Sequence, residues 1–285
     1  MAEKFISAKL DIVFKMLFAD EKNKDILEAL LSDILDIPPE QLHNVIVKNP
    51  EINPKHINEK YYRLDLNMTI GNQLVNAEMQ TYYDIHFKER AYLYNSKQFS
   101  SQLDEGEDYS NLCPCISINF MDYVAFKDHD DFHSKFEVWD VEHNNRLTDK
   151  IELHFFELKK VKGELDKNDR KKLWLQFLKA ETKEEFAMLE NIGVPAVEKA
   201  VQAIYTMSAD ERTKEEIRMR EKAMHDQTSM LAAAKREGRA EGRAEGRAEG
   251  RAEGIAEGRA EERISIAEKM RADEVSEEII KKYLS

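Results

Sequence analysis

The 285-residue sequence predicts an α/β core followed by a helical C-terminal extension. Three observations carry that prediction. Two apolar stripes of helical period open the chain, two alternating runs around a glycine turn follow, and the last third is charged, helix-rich and repetitive. The first stripe is LDIVFKMLF, with Leu10, Val13, Phe14, Leu17 and Phe18 on one face. The second starts near Asn23 and carries Ile26, Leu27, Leu30, Leu31, Ile34 and Leu35. It ends at Ile37-Pro38-Pro39, because proline cannot continue a helix and restrains the residue before it. VIVKNPEI then reads as an edge strand and turn.

Residues 62–70 and 74–81 alternate polar and apolar around Gly71-Asn72, a two-residue hairpin signal. With Ile70 facing Gln73, Leu64 pairs with Met79, Leu66 with Ala77 and Met68 with Val75 on one apolar face. The other face pairs Arg63 with Gln80, Asn67 with Asn76 and Asp65 with Glu78. A one-residue slip would exchange the faces, so a register that sorts both strands at once is strongly specified. Two carboxylates directly opposite each other repel. Two readings stand at this point: a solvated, screened sheet edge, or a divalent cation between hard oxygen ligands.

Downstream, His86–Leu103 reads as a helix with Arg90, Tyr94 and Lys97 on one stripe. Cys115–Phe120, Phe132–Trp139 and Ile151–Leu158 read as strands, the last two separated by Glu142–Asn145. The expected domains are a core over 1–160, a helical region over 161–207 and a charged tail over 208–285.

Composition bounds the function. There are 43 Lys and Arg against 56 Asp and Glu, a net charge of −13, so any nucleic-acid contact must come from a local patch. The densest basic run is Lys159–Lys172, with seven basic residues against Glu164, Asp166 and Asp169, and Lys171 and Lys172 are its expected DNA contacts. A solvated linker accounts for the run equally well. No apolar run approaches a membrane span, and charges occupy the N-terminal positions where a signal peptide is apolar. Cys113 and Cys115 fit neither zinc-ligand nor disulfide spacing, so the expected setting is the reducing cytoplasm. The histidines show no zinc-ligand spacing. No phosphate-cradling glycine loop and no G-x-S-x-G is present, which removes kinase, NTPase and serine hydrolase readings.

The ordered series LDIVFKMLF, RLDLNMTI…NAEMQ, FKERAYLYNSK, a buried strand and FFELKK resembles the recombination-promoting nuclease / transposase-like family of the PD-(D/E)XK nuclease superfamily, over about residues 5–160. The resemblance implies an αβββαβ core and Mg²⁺-dependent DNA endonuclease activity, with Mn²⁺ as a substitute. It implies that Asp65 is the strand aspartate, Glu78 the acid of the E-x-K motif and Asp11 the additional helix acid. Gln80 stands where the superfamily has lysine. Glutamine can hydrogen-bond a water but has no charge and is no proton acceptor near neutral pH. Lys97 is the expected substitute cation and Arg90 the expected phosphate contact, with an ordinary solvated helix face as the alternative for both. Asp149…Glu157-Leu-Lys159 also spells D…E-x-K, but Asp149 falls in the turn before the strand that carries Glu157, with no neighbouring strand to bring the two carboxylates face to face. The alternative class is a catalytically inactive nuclease-fold scaffold or DNA-binding assembly protein.

The tail reads EGRA four times, then EGIA, then EGRA, from Glu237 to Ala260. A period of four stacks Glu near Glu and Arg near Arg and leaves no Glu–Arg pair at i+3 or i+4. Each glycine costs about 1 kcal/mol of helix relative to alanine. The expectation is a segment that becomes helical on self-association, making the protein a homo-oligomer through its tail. A flexible linker is the alternative.

Overall fold

The computed structural model describes residues 5–42, 44–48, 51–52, 62–63 and 65–284. Helix α1 (Asp11–Phe18) and helix α2 (Lys24–Leu35) are the two expected stripes, and each buries its apolar face. Helix α2 stops at Asp36, whose φ of 56° ends the helical hydrogen bonding, while the Ser32 hydroxyl donates to the Ile37 carbonyl at 2.7 Å. Strands β1 (Ile46–Lys48), β2 (Glu51–Ile52), β3 (Tyr62–Arg63), β4 (Leu66–Ile70) and β5 (Gln73–Gln80) follow, then helix α3 (Phe87–Ser100) and strand β6 (Cys115–Met121). Strands β7 (His133–Asp140) and β8 (Asn145–Glu157) make a long hairpin, and β8 begins six residues before the expected strand. Helices α4 (Arg170–Lys179), α5 (Lys183–Glu190), α6 (Pro195–Ala209), α7 (Glu211–Ala272) and α8 (Glu277–Leu284) complete the chain.

The six-stranded sheet runs β1-β4-β5-β6-β8-β7, and β2 pairs with β3 apart from it. The first three strands are antiparallel, β5, β6 and β8 run parallel, and β7 closes the far edge antiparallel. In chain order α1, β1, β4, β5, α3 and β6 form an αβββαβ unit, with α2 and the β2–β3 pair inserted. The helix α3 makes the crossover that parallel neighbours require.

The central hairpin has the register read from its alternation: Leu66 pairs with Ala77, Asn67 with Asn76, Met68 with Val75 and Ile70 with Gln73. Gly71 takes a φ of 56° at the first turn position, where a side chain would be strained. Leu64 lies outside the described residues, and so does its expected pairing with Met79. Arg63 pairs with Glu51 in the separate β2–β3 sheet and not with Gln80, so the expected register holds from Leu66–Ala77 to the turn and not beyond.

One sheet face presents Val75, Ala77, Met79, Ile116, Ile118, Phe120 and Phe156 to α1, α2 and α4–α6 in a single buried core. The helices of 161–207 therefore share the core of the sheet and do not form a body of their own. The opposite face meets α3. Beside a small apolar cluster of Phe87, Ala91, Met121, Leu153 and Phe155 lies a buried amide layer, Asn76, Asn95, Gln98 and Asn119, joined by the Ser117 hydroxyl.

The chain divides into two compact units, Met1–Arg218 and Met219–Ser285. In the second, α8 folds back on the end of α7, burying Ala267 and Ile280, with the Arg263 guanidinium donating to the Tyr283 carbonyl at 2.9 Å. The repeat is helical throughout and every residue of it is exposed. Among the described residues no helix is long and apolar enough to cross a membrane. Both cysteines are free thiols.

Candidate active site

The hairpin places its polar face under α3. Glu78 sits near the end of β5, 8% exposed, with Oε1 buried and lacking any hydrogen-bond partner. Asp65 occupies the bend before β4, so it does not form the ladder pair that the alternation suggested. Its side chain closes the gap instead: Oδ2 accepts the Met79 N–H at 2.9 Å, and Oδ1 receives the Lys15 ammonium at 2.7 Å. Burial, and then the nearby Asp65 carboxylate, push the Glu78 carboxyl up to about 8. The Arg90 guanidinium, the Asp65 backbone N–H and the Lys15 ammonium act in the opposite direction.

Gln80 is held at both ends of its amide. Nε2 donates to the Tyr82 carbonyl at 2.9 Å, and Oε1 accepts from Arg90 Nη2 at 2.9 Å. Arg90 also pairs with Asp84 at 2.7 Å, and its guanidinium lies 4.9 Å from the Phe87 ring centre. Gln80 thus positions a guanidinium beside Glu78 where a lysine would have carried the charge itself.

Asp11 lies in the first turn of α1, and Lys15 is one helical turn further along the same helix, which packs against β5. Lys97 falls seven residues after Arg90, about 10 Å along the helix axis. It neighbours Gln98, whose amide bridges Asn67 and Asn76 at 3.0 and 3.3 Å near the middle of the hairpin. The cations that favour the Glu78 anion include Arg90 and Lys15.

Four of the seven basic residues of the run pair with acids of the fold. Lys159 faces Asp122 at 3.6 Å, Lys160 pairs with Glu157 at 2.6 Å, Arg170 with Asp33 at 3.5 Å and Lys171 with Asp36 at 2.7 Å. Lys171 and Lys172 open α4, which packs on α2 across the sheet from α3. The second D…E-x-K motif is structural. Asp149 and Glu157 both lie in β8, and the fully buried Glu157 accepts the Ala125 and Phe126 N–H groups at 2.6 and 3.1 Å.

Lys15 and Arg90 show what sequence reading finds and misses. Arg90 stood on a helix stripe, whereas the partnership of Lys15 with Asp65 joins residues 50 positions apart. The one available signal was its i+4 spacing from Asp11. Lys9, paired with Asp122 at 2.7 Å beside the end of β5, and the amide layer were likewise missed.

Among the described residues no group of three or more His, Cys, Asp or Glu forms a ready metal cage. The pair Asp65 and Glu78 nonetheless fits a hard divalent cation: two carboxylates in mutual repulsion, one with an orphaned buried oxygen.

Residues 8–234 match the family described as PD-(D/E)XK nuclease family transposase. Comparison with curated proteins and with solved structures returns no match. A match over most of the chain, together with the αβββαβ order and the acid pair on its hairpin, establishes that this chain belongs to the PD-(D/E)XK nuclease family transposases.

Proposed function

We propose that the protein is a metal-dependent DNA endonuclease that hydrolyses phosphodiester bonds, with Asp65 and Glu78 holding Mg²⁺ or Mn²⁺. The observation that carries this is the buried, unpartnered Glu78 Oε1 beside a second carboxylate: an arrangement that costs stability without a cation and is repaired by one. When bound, the metal supplies an activated water and neutralises charge on the scissile phosphate. The chain's own residues do the rest. Arg90, oriented by Gln80 and Asp84, brings positive charge to the phosphate side of the site. Lys15 holds Asp65 in place before metal binds, and Asp11 on the same helix is the additional acid. The Gln80 amide cannot accept a proton near neutral pH, so its part is positioning.

A scaffold without activity is the second reading, favoured by Gln80 in place of lysine and by Lys15 engaging Asp65. Supercoiled plasmid DNA incubated with Mg²⁺ separates the two. Cleavage is expected with the wild type, suppression with EDTA, and a loss of at least about 100-fold in Glu78→Gln, the scale of removing a metal-dependent electrostatic contribution. Equal nicking by wild type and Glu78→Gln at matched purity overturns the assignment.

A further inference from the structure

The turn from β5 into α3, residues 81–86, leaves the strand directly after Gln80. It exposes Tyr82 by 51%, Tyr83 by 65% and Ile85 by 65%. Such exposure normally accompanies a loose loop, yet this one is tightly built. The Gln80 side chain donates to the Tyr82 carbonyl at 2.9 Å, Asp84 Oδ1 accepts the His86 N–H at 2.9 Å, and Asp84 Oδ2 takes Arg90 at 2.7 Å. The Tyr83 ring stands edge-on against the ring of Tyr123, 5.3 Å away, and Tyr123 is itself buried at the end of β6. Two exposed tyrosines therefore sit on a hydrogen-bonded loop at the carboxyl ends of parallel strands, and the Tyr83 ring is fixed by its contact with Tyr123. That is where open α/β sheets bind ligands.

We propose that Tyr82 and Tyr83 form a stacking platform for an unpaired DNA base next to the scissile phosphate, so that the preferred substrate is single-stranded or locally opened DNA. This rests on the nuclease reading and names its substrate class. The surroundings fit a nucleotide. Arg90 and the exposed Lys159 bring positive charge to the same strand ends, and stacking on tyrosine asks nothing of base identity. A base inside a duplex has both faces covered by its neighbours, so a ring that stacks on it selects a base already out of the helix. The amide contact from Gln80 to Tyr82 couples the platform to the residue that orients Arg90.

The test uses the full chain in EDTA, with fluorescence anisotropy of an oligothymidylate of about 20 nucleotides and a duplex of the same length. A 2-aminopurine in the single strand reports stacking. The wild type is expected to bind the single strand more tightly and to quench 2-aminopurine. Tyr82→Ala and Tyr83→Ala are each expected to lose about tenfold in single-strand affinity, with duplex affinity unchanged. Tyr82→Phe and Tyr83→Phe should retain binding, since the ring face is kept. Exposed positions leave folding unharmed, and an unchanged Tm verifies this. Single-strand affinity and quenching unaltered in both alanine variants overturn the platform. Mg²⁺-dependent cutting is read separately: a chain that quenches 2-aminopurine but cuts no DNA removes the nuclease reading, whereas a chain that cuts normally with unaltered alanine variants removes the platform alone.

Discussion

Glu78 carries the sharpest consequence at the scale of single residues. Its carboxyl ionises near 4.5 in an unfolded chain and near 8 in the folded one, because burial and Asp65 both disfavour the anion. Between those values the folded chain keeps a proton that the unfolded chain has lost, so this group lowers stability progressively as pH rises from about 4.5 to about 8. Below that window both states are protonated and the effect vanishes. Glu78→Gln, a neutral residue of the same shape, is expected to melt close to wild type at pH 4.5 and higher above pH 8, by on the order of 5 °C in metal-free buffer. Differential scanning calorimetry across that range checks it, and parallel melting curves at every pH would refute the burial account. Asp65→Asn relieves the repulsion on Glu78 but also gives up the Lys15 ion pair, so a smaller gain is expected.

Gln80 also makes a prediction at this scale. Gln80→Lys alone places an ammonium against the Arg90 guanidinium that now donates to Gln80 Oε1 at 2.9 Å. Like charges there repel, so the single change is expected to bring no gain in cleavage rate. The double variant Gln80→Lys/Arg90→Gln, which exchanges the two roles, should recover activity above either single variant. Rates for all four proteins give the coupling directly, and additive effects would separate Gln80 from Arg90.

Among the elements, the β7–β8 hairpin is held by titrating groups. His133 stacks 4.3 Å from the Phe156 ring and bonds His154 at 3.0 Å, and His154 in turn faces Glu152 at 3.4 Å. Burial, then His154 and Lys171, lower His133 to about 4, while Asp36 opposes. Hydrogen bonding to His154 first, with Lys135 and Arg146 adding to it, lowers Glu152 to about 2. A depressed histidine stays neutral in the fold while the unfolded chain takes a proton, so its contribution is lost as pH falls from about 6.5 to about 4. His133→Phe keeps the stack on Phe156 and is expected to flatten the decline in thermal stability over that window. A variant that declines as steeply as wild type would place the acid sensitivity elsewhere.

For the molecule as a whole, the tail raises the question of assembly. Its helix runs continuously through six glycines whose Cβ positions meet nothing within 4 Å. On a helix of 3.6 residues per turn each tetrad advances about 40°, so the glycine stripe winds around the helix and does not run straight. Two such helices meet closely only where the stripes cross, at the −40° to −50° typical of small residues repeating every four positions. Homo-oligomerisation through the tail, which we propose, is therefore expected at crossings and not along a parallel coil. Sedimentation should show the full chain as an oligomer that loosens with salt and a chain ending at Arg218, the limit of the first unit, as a monomer. A monomeric full chain would reduce the tail to an isolated helix.

Local periodicity determined a good part of this protein from its sequence alone. The α1 and α2 stripes, the Gly71 turn and the 66–77 to 70–73 register all follow from patterns within one or two dozen residues. Each is set by which face must be buried, and a one-residue error would have exposed the whole set. The tertiary structure decided everything that joins distant positions: the parallel alignment of β5, β6 and β8, the Lys15–Asp65 and Lys171–Asp36 ion pairs, and the amide layer beneath α3. Charged and amide side chains are satisfied by whatever the fold brings within about 3 Å, and no spacing along the chain encodes that. Glu78 and Asp65 were legible as neighbours because a hairpin joins them, whereas the cations near them, Lys15 from α1 and Arg90 from α3, emerged only when the helices packed against the sheet.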